Sequence, residues 1–148
     1  MPSDLLETEK KYEVPASIRD GLKDFYGGFA DIEATNRTIG EMYRENGYLL
    51  DTHTAVAYKV YSDYREATGD KTPTVIASTA SPYKFAESVA RSIGLTDEPD
   101  GFRYIDAVHE KTGVRIPLAM KGLRDKEILH NSVIAITDME KAVSDSLK

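Results

Sequence analysis

The sequence predicts a helix-rich α/β protein with few strands, and three observations support that class. Apolar residues recur at helical spacing in several segments of the 148-residue chain. One short segment, 74–78, contains the continuous apolar run Val-Ile-Ala, which is typical of a strand covered on both faces. The composition, 41% hydrophobic and 30% charged with no cysteine, excludes a disordered chain and a disulfide scaffold.

The first thirty residues predict two short helices, at 3–10 and 16–25. Val14 and Pro15 separate them, because proline disfavours helical backbone in the residue before it. The segment 26–29, Tyr-Gly-Gly-Phe, follows. Its glycines permit a tight reversal, and we expect its aromatic rings to anchor the reversal to the core.

Two longer helices come next. Asp31 is a suitable N-cap for the first and Gly47 a typical exit. We expect its buried face to hold the residues at helical spacing: Ile32, Thr35, Ile39, Met42 and Tyr43. The second helix is predicted at 52–67, with Asp51 as its cap and a stripe formed by Val56, Val60 and Tyr64.

A helix is also predicted after the strand at 74–78. Pro82 suits its first position, and its inner face would hold Phe85, Val89 and Ile93. Gly94 would end it.

The last third of the chain predicts a helix at 102–112 that ends at Gly113. A helical turn or loop at 118–123 and a short strand at 132–136 follow. Asp138 would cap a final helix that buries Met139, Val143 and Leu147. Because one good strand does not make a sheet, we expect that the chain is incomplete or that its strand joins a sheet built elsewhere.

Composition and motifs narrow the function classes. The net charge of -6 and the lack of a basic run argue against nucleic-acid binding. No run approaches the ~20 apolar residues of a membrane span, and the N-terminus does not have the pattern of a secretory signal. The histidines at 53, 109 and 130 do not have metal-ligand spacing, and without cysteine we expect a cytoplasmic protein without a metal site. No motif identifies a catalytic nucleophile with its base.

The loop 78–81, Ser-Thr-Ala-Ser, is the first candidate site. Three hydroxyls at the end of a strand and just before a helix N-terminus are suited to a polar or anionic ligand. The alternative is that Ser81 caps the helix while Ser78 and Thr79 satisfy backbone groups.

His53 is the second candidate. Asp51 as N-cap places His53 in the first turn, where the positive helix end disfavours imidazolium and predicts a neutral ring. The ring would either face a ligand or pack at the helix start.

Both candidates lie in segments that resemble bacterial threonine synthases. Residues 47–57, GYLLDTHTAVA, resemble the family segment GYLxDPHTAVA, and residues 79–85, TASPYKF, resemble STAxPxKF. Supporting similarities lie at 26–31, at 121–123 and at 139–140. Thr52 stands where the family has proline, and Ser81 where many members have histidine.

The resemblance implies the C-terminal portion of a pyridoxal-phosphate enzyme of the tryptophan-synthase β-like fold (fold type II), with residues 1–148 as a single segment. That family converts O-phosphohomoserine and water to threonine and phosphate. A Ser or Thr hydroxyl of the fold usually approaches the pyridine nitrogen, which suggests Thr79 and its neighbour Ser78 as cofactor-binding residues. The resemblance places His53, Ser81 and Lys84 in the neighbourhood of the site.

The cofactor-binding lysine of the family lies in a Phe-Lys-Asp motif, which this sequence does not contain. We therefore expect no catalytic residue here, an inactive isolated chain, and a partner in the missing N-terminal part. We also expect the isolated chain to self-associate, because self-association would cover the strand edge and the apolar faces that the missing part normally covers. The alternative functions are a non-catalytic binding or interaction domain derived from the family and an unrelated small α/β binding protein.

Overall fold

The computed structural model describes residues 14–147, and all the regular structure in that range is helical. The predicted helix at 3–10 lies outside the described residues. The α-helices are α1 (Ala16–Arg19), α2 (Ile32–Asn46), α3 (Thr52–Thr68), α4 (Ala86–Ser92), α5 (Gly101–Thr112) and α6 (Met139–Ser146). Short 3-10 turns lie at Asp20–Leu22, Pro82–Phe85, Leu123–Asp125 and Ile136–Asp138.

The long helices begin and end where the sequence predicts. The Asp31 carboxylate accepts a hydrogen bond from the Ala34 N–H at 2.7 Å and caps α2. Gly47 ends α2 with a φ of 67°, in the left-handed region that glycine adopts without strain. Asp51 caps α3, and Gly113 ends α5 in the same manner as Gly47.

Pro82 starts a helical segment, as predicted, but that segment is divided. A 3-10 turn over Pro82–Phe85 comes first, and α4 follows at Ala86–Ser92. The division lies at Phe85, whose backbone angles of -127° and 58° are not helical. Helix α1 is likewise shorter than predicted and continues as a 3-10 turn.

The two predicted strands are wrong. Residues 74–78 and 132–135 are irregular, Ile136 begins a 3-10 turn, and no strand occurs anywhere in residues 14–147. Val75 is 96% exposed and Val133 is 95% exposed. A short apolar run forms a strand only when a second strand completes its hydrogen-bond ladder, and neither segment has such a partner in the described chain.

The core lies between helices α2 to α5. Helix α2 packs against α3 and α4, and α4 packs against α5. Residues with 1% exposure or less form its centre: Ile39, Ala55, Tyr83, Val89, Ala90 and Val108. Helices α2 and α4 approach each other closely at Gly40, where a Cβ atom would lie 2.5 Å from the carbonyl oxygen of Ser92. The predicted inner faces of α2 and α4 are therefore confirmed at Ile39 and Val89, whereas Ile32 is 80% exposed.

Tyr83 connects this core to the end of α5. Its ring is buried, and its hydroxyl donates a hydrogen bond to the carbonyl oxygen of Val114. The same carbonyl lies 2.8 Å from Nδ1 of His109.

The aromatic segment 26–29 differs from the prediction. Phe29 is exposed, and Tyr26 is half-exposed with its ring centroid 5.0 Å from that of Tyr64. The segment 26–29 therefore contacts α3 through Tyr26, and the rings of Tyr26 and Phe29 both stay outside the core. Gly28 lies close to Val60, whose Cγ1 atom would be 2.8 Å from an added Cβ atom.

The chain divides into two compact units, Met1–Ile116 and Pro117–Lys148. The second unit contains α6 and two of the 3-10 turns, and none of its residues from 117 to 147 is buried. The predicted burial of Met139, Val143 and Leu147 is therefore wrong, and Asp138 makes no side-chain cap hydrogen bond. Among the described residues, no helix combines the length and apolar character that crossing a bilayer requires.

Candidate functional site

A cluster of polar side chains joins the start of α3 to the irregular segment before Pro82. At its centre is Asp51, whose side chain is almost fully buried. Asp51 Oδ1 accepts hydrogen bonds from the backbone N–H groups of His53 at 2.9 Å and Thr54 at 3.3 Å. These bonds cap α3, because they satisfy N–H groups that have no partner within the helix.

The same carboxylate also contacts two side chains. Asp51 Oδ1 lies 2.9 Å from Nδ1 of His53, and Asp51 Oδ2 accepts a hydrogen bond from the Thr54 hydroxyl. The Thr54 and Ser78 hydroxyl oxygens are 3.0 Å apart, and Ser78 Oγ lies 3.5 Å from Asp51 Oδ2. Residues from two separate segments thus share one buried carboxylate.

The hydrogen bonds keep Asp51 ionised. Burial acts to raise the pKa of its carboxyl, because a charged group loses hydration in the interior. The hydrogen bonds from the side chains and backbone of Thr54 and His53 act in the opposite direction and together prevail. The pKa of Asp51 therefore lies below its ordinary value of 3.8.

His53 is both oriented and accessible. Its side chain is 45% exposed, and its ring centroid lies 5.5 Å from that of Phe85. The Nζ atom of Lys84 lies 5.7 Å from the centroid of the Phe85 ring. The structure therefore places His53 and Ser78 beside Asp51, and Lys84 beside Phe85, whose ring also contacts His53.

The other two predicted residues are placed differently. Ser81 accepts a hydrogen bond from the Tyr83 N–H at 3.3 Å, which confirms the capping interpretation for this residue. Thr79 is exposed, and within residues 14–147 its hydroxyl has no hydrogen-bond partner. It is therefore available to a ligand or to another protein segment.

Sequence reasoning missed Thr54 and assigned Asp51 only a capping role. The Asp-x-His-Thr spacing at 51–54 is a usable signal, because a capping carboxylate can reach the side chains of the first helical turn. The contact with Ser78 is not readable from any local pattern, since it joins residues 24 positions apart.

Comparison with known proteins gives the chain a family. Residues 54–145 match the family described as "Threonine synthase, C-terminal". The chain belongs to this family. The match includes Thr54, Ser78, Thr79, Ser81 and Lys84, whereas Asp51 and His53 lie just before it.

The similar proteins are named threonine synthase or threonine synthase-like 1, which is consistent with the family match. Threonine synthase of Pseudomonas aeruginosa is 40% identical over 67 residues, which cover 45% of this chain and 14% of that protein. Human threonine synthase-like 1 is 32% identical over 94 residues, covering 62% of this chain and 12% of the relative. The mouse protein of that name is 43% identical over 60 residues, which cover 40% of this chain and 8% of that protein. Each match thus spans a small part of the relative's length.

Proposed function

We propose that this chain is the C-terminal portion of a threonine synthase, a pyridoxal-phosphate-dependent lyase of amino-acid biosynthesis. The whole enzyme would convert O-phosphohomoserine and water to threonine and phosphate in the cytoplasm. The observation that carries the proposal is the family match over residues 54–145, which contains the hydroxyl segment at 78–81. A tryptophan-synthase β-like fold for the whole enzyme is part of the same proposal.

The chain's residues fit a contact with the cofactor ring. Thr79 offers an exposed hydroxyl without a partner in the described chain, and a hydroxyl can donate a hydrogen bond to an unprotonated pyridine nitrogen. Pyridoxal phosphate, when bound, supplies the electron-withdrawing ring on which the family's chemistry depends. Thr79 would set the charge of that ring, and Ser78 would fix the segment that carries Thr79.

The remaining requirements would come from a second protein segment. The sequence has no Phe-Lys-Asp motif to anchor the cofactor, so we propose that the N-terminal part of the enzyme supplies the lysine and the phosphate-binding loop. Exposed apolar side chains such as Phe29, Ile32 and Val75 are suited to that interface. Without the N-terminal part, we expect the isolated chain to be inactive and to self-associate through these side chains.

The first experiment measures phosphate release from O-phosphohomoserine by the purified chain with excess pyridoxal phosphate, together with the cofactor's absorbance spectrum. We expect no turnover and an unchanged spectrum. Turnover by the chain alone would contradict the proposal that another segment supplies the lysine.

The second experiment replaces the corresponding C-terminal part of Pseudomonas aeruginosa threonine synthase with this chain. Activity of the chimera would support the proposal. Thr79→Ala should then lower kcat about tenfold, the equivalent of one hydrogen bond of about 1.4 kcal/mol, and Thr79→Ser should restore it. Thr74→Ala is the matched control, because Thr74 is an exposed residue of the same segment whose hydroxyl donates to the Thr72 carbonyl at 3.0 Å.

The alternative function is a non-catalytic binding or interaction domain derived from the same family. A well-folded chimera that binds the cofactor but shows no turnover would favour this alternative. If Thr74→Ala lowered kcat as much as Thr79→Ala does, the loss would not be specific to Thr79. The proposed contact of Thr79 with the cofactor ring would then be wrong.

A further inference from the structure

Asp51 has more hydrogen-bond partners than its capping role requires. Two backbone N–H groups suffice to explain an N-cap, yet the carboxylate also contacts the ring of His53 and the hydroxyl of Thr54. These extra contacts point in two directions, one toward an accessible imidazole and the other toward Ser78. They join the two segments that contain the predicted site residues.

The contact with His53 determines where that ring holds its proton. An ionised carboxylate can only accept hydrogen bonds, so Nδ1 of His53, at 2.9 Å from Asp51 Oδ1, must be the donor. In a neutral imidazole the other nitrogen, Nε2, then carries the lone pair and accepts a hydrogen bond or a proton. Since the side chain is 45% exposed, a ligand can reach the ring.

The contact with Thr54 restrains the hydroxyl segment. The Thr54 hydroxyl donates to Asp51 Oδ2 and lies 3.0 Å from the Ser78 hydroxyl. Ser78 is adjacent to Thr79 in the chain, so a restraint on Ser78 limits the positions open to the Thr79 backbone. Asp51 thus acts on both candidate segments without itself being exposed.

We propose that Asp51 is the positioning residue of this site. It holds His53 with the proton on Nδ1, so that Nε2 serves as the proton-accepting atom, and through Thr54 it fixes Ser78 beside Thr79. Only the relevance of Thr79 to a cofactor depends on the proposed function. The arrangement of His53 and Ser78 stands independently of it.

The test uses NMR of the ring nitrogens in the full chain, without any cofactor. The chain has three histidines, and two of them serve as references. His109 Nδ1 lies 2.8 Å from the Val114 carbonyl, which can only accept, so His109 is a reference for a ring protonated on Nδ1. His130 is exposed and serves as the solvated reference. We expect the neutral ring of His53 to give the His109 pattern.

Asp51→Ser is the decisive variant, because serine also caps helices but is too short to hold the imidazole. It should move the His53 signals toward the His130 pattern and leave His109 unchanged. Asp31→Ser, at the matching cap of α2, is the control and should leave all three rings unchanged. Thr54→Val should keep the His53 tautomer and lower the backbone NMR order parameters of Ser78 and Thr79, because the hydroxyl contact that restrains Ser78 is lost.

Three results would overturn the proposal. They are a wild-type His53 protonated on Nε2, a His53 spectrum that Asp51→Ser does not alter, and unchanged order parameters at Ser78 in Thr54→Val. If Asp51→Ser does not fold, the wild-type tautomer and Thr54→Val still decide the matter. An inactive chimera accompanied by the expected NMR pattern would reject the proposed function while leaving the positioning role intact.

Discussion

Asp51 illustrates at the residue scale how one side chain combines local and long-range roles. Its capping of α3 follows directly from the sequence, because aspartate before a run of apolar residues at helical spacing is a common helix start. Its link to Ser78 could not be predicted, since it exists only when the segment before Pro82 folds back toward α3. The sequence therefore predicts His53 and Ser78 as candidate residues but not the carboxylate that contacts both of them in the structure.

The lowered pKa of Asp51 predicts a particular dependence of stability on acid. A carboxyl with a depressed folded-state pKa contributes stability that is present above its unfolded value of 3.8 and is lost as pH falls through the folded-state pKa. Asp51→Ser should lower the free energy of unfolding by about 1–3 kcal/mol at neutral pH. The difference between variant and wild type should shrink below pH 3.8.

Urea denaturation at neutral and acidic pH measures this difference. Asp31→Ser replaces one capping side chain with another at an exposed position without a histidine contact, so at neutral pH it should cost less than Asp51→Ser. An equal loss in both variants would show that the additional contacts of Asp51 contribute nothing to stability.

At the scale of elements, helix boundaries were more predictable than strands. The caps and exits of α2, α3 and α5 depend on local chemistry, chiefly an aspartate at the start and a glycine with positive φ at the end. A strand depends instead on a partner that is remote in sequence. For that reason the apolar run at 74–78 predicts a strand, whereas these residues are irregular in the structure.

The close approach at Gly40 yields a prediction for helix packing. A Cβ atom there would meet the backbone carbonyl of Ser92 at 2.5 Å, so α2 and α4 must separate to admit it. Gly40→Ala should therefore lower the free energy of unfolding by about 1–3 kcal/mol, despite the higher helix propensity of alanine. Thermal denaturation followed by circular dichroism measures the change.

Gly101→Ala provides the matched control for this substitution. Gly101 is also helical, at the start of α5, but an added Cβ atom there has no neighbour within 4 Å in the described chain. We expect a neutral or slightly stabilising effect, at most about 1 kcal/mol. If both variants lost the same stability, helix packing at Gly40 would not be the cause.

At the scale of the whole molecule, burial is confined to one part of the chain. Every buried residue among those described belongs to the unit Met1–Ile116. The periodicity of the last helix predicted burial of its apolar face, but periodicity alone does not provide a surface to pack against. Periodicity therefore predicts burial correctly at Ile39 and Val89 but not at Val143 and Leu147.

Removal of residues 117–148 tests that distribution. Because residues 117–147 contribute nothing buried, a chain that ends at Ile116 should keep its cooperative unfolding transition and a midpoint close to that of the full chain. Denaturant titration followed by circular dichroism gives both quantities. A lost transition would show that the second unit supports the core in a way that burial does not reveal.

Tyr83, which donates a hydrogen bond to the Val114 carbonyl, makes the ultraviolet absorbance of the chain sensitive to unfolding of the core at high pH. Burial raises the pKa of the Tyr83 phenol above 10.0, so the stability it contributes is present below that pH and is lost as the pH rises through the folded-state value. The chain has nine tyrosines and no tryptophan, so its near-ultraviolet absorbance follows phenol ionisation without an indole background. The ionisation step that is absent in Tyr83→Phe should coincide with unfolding.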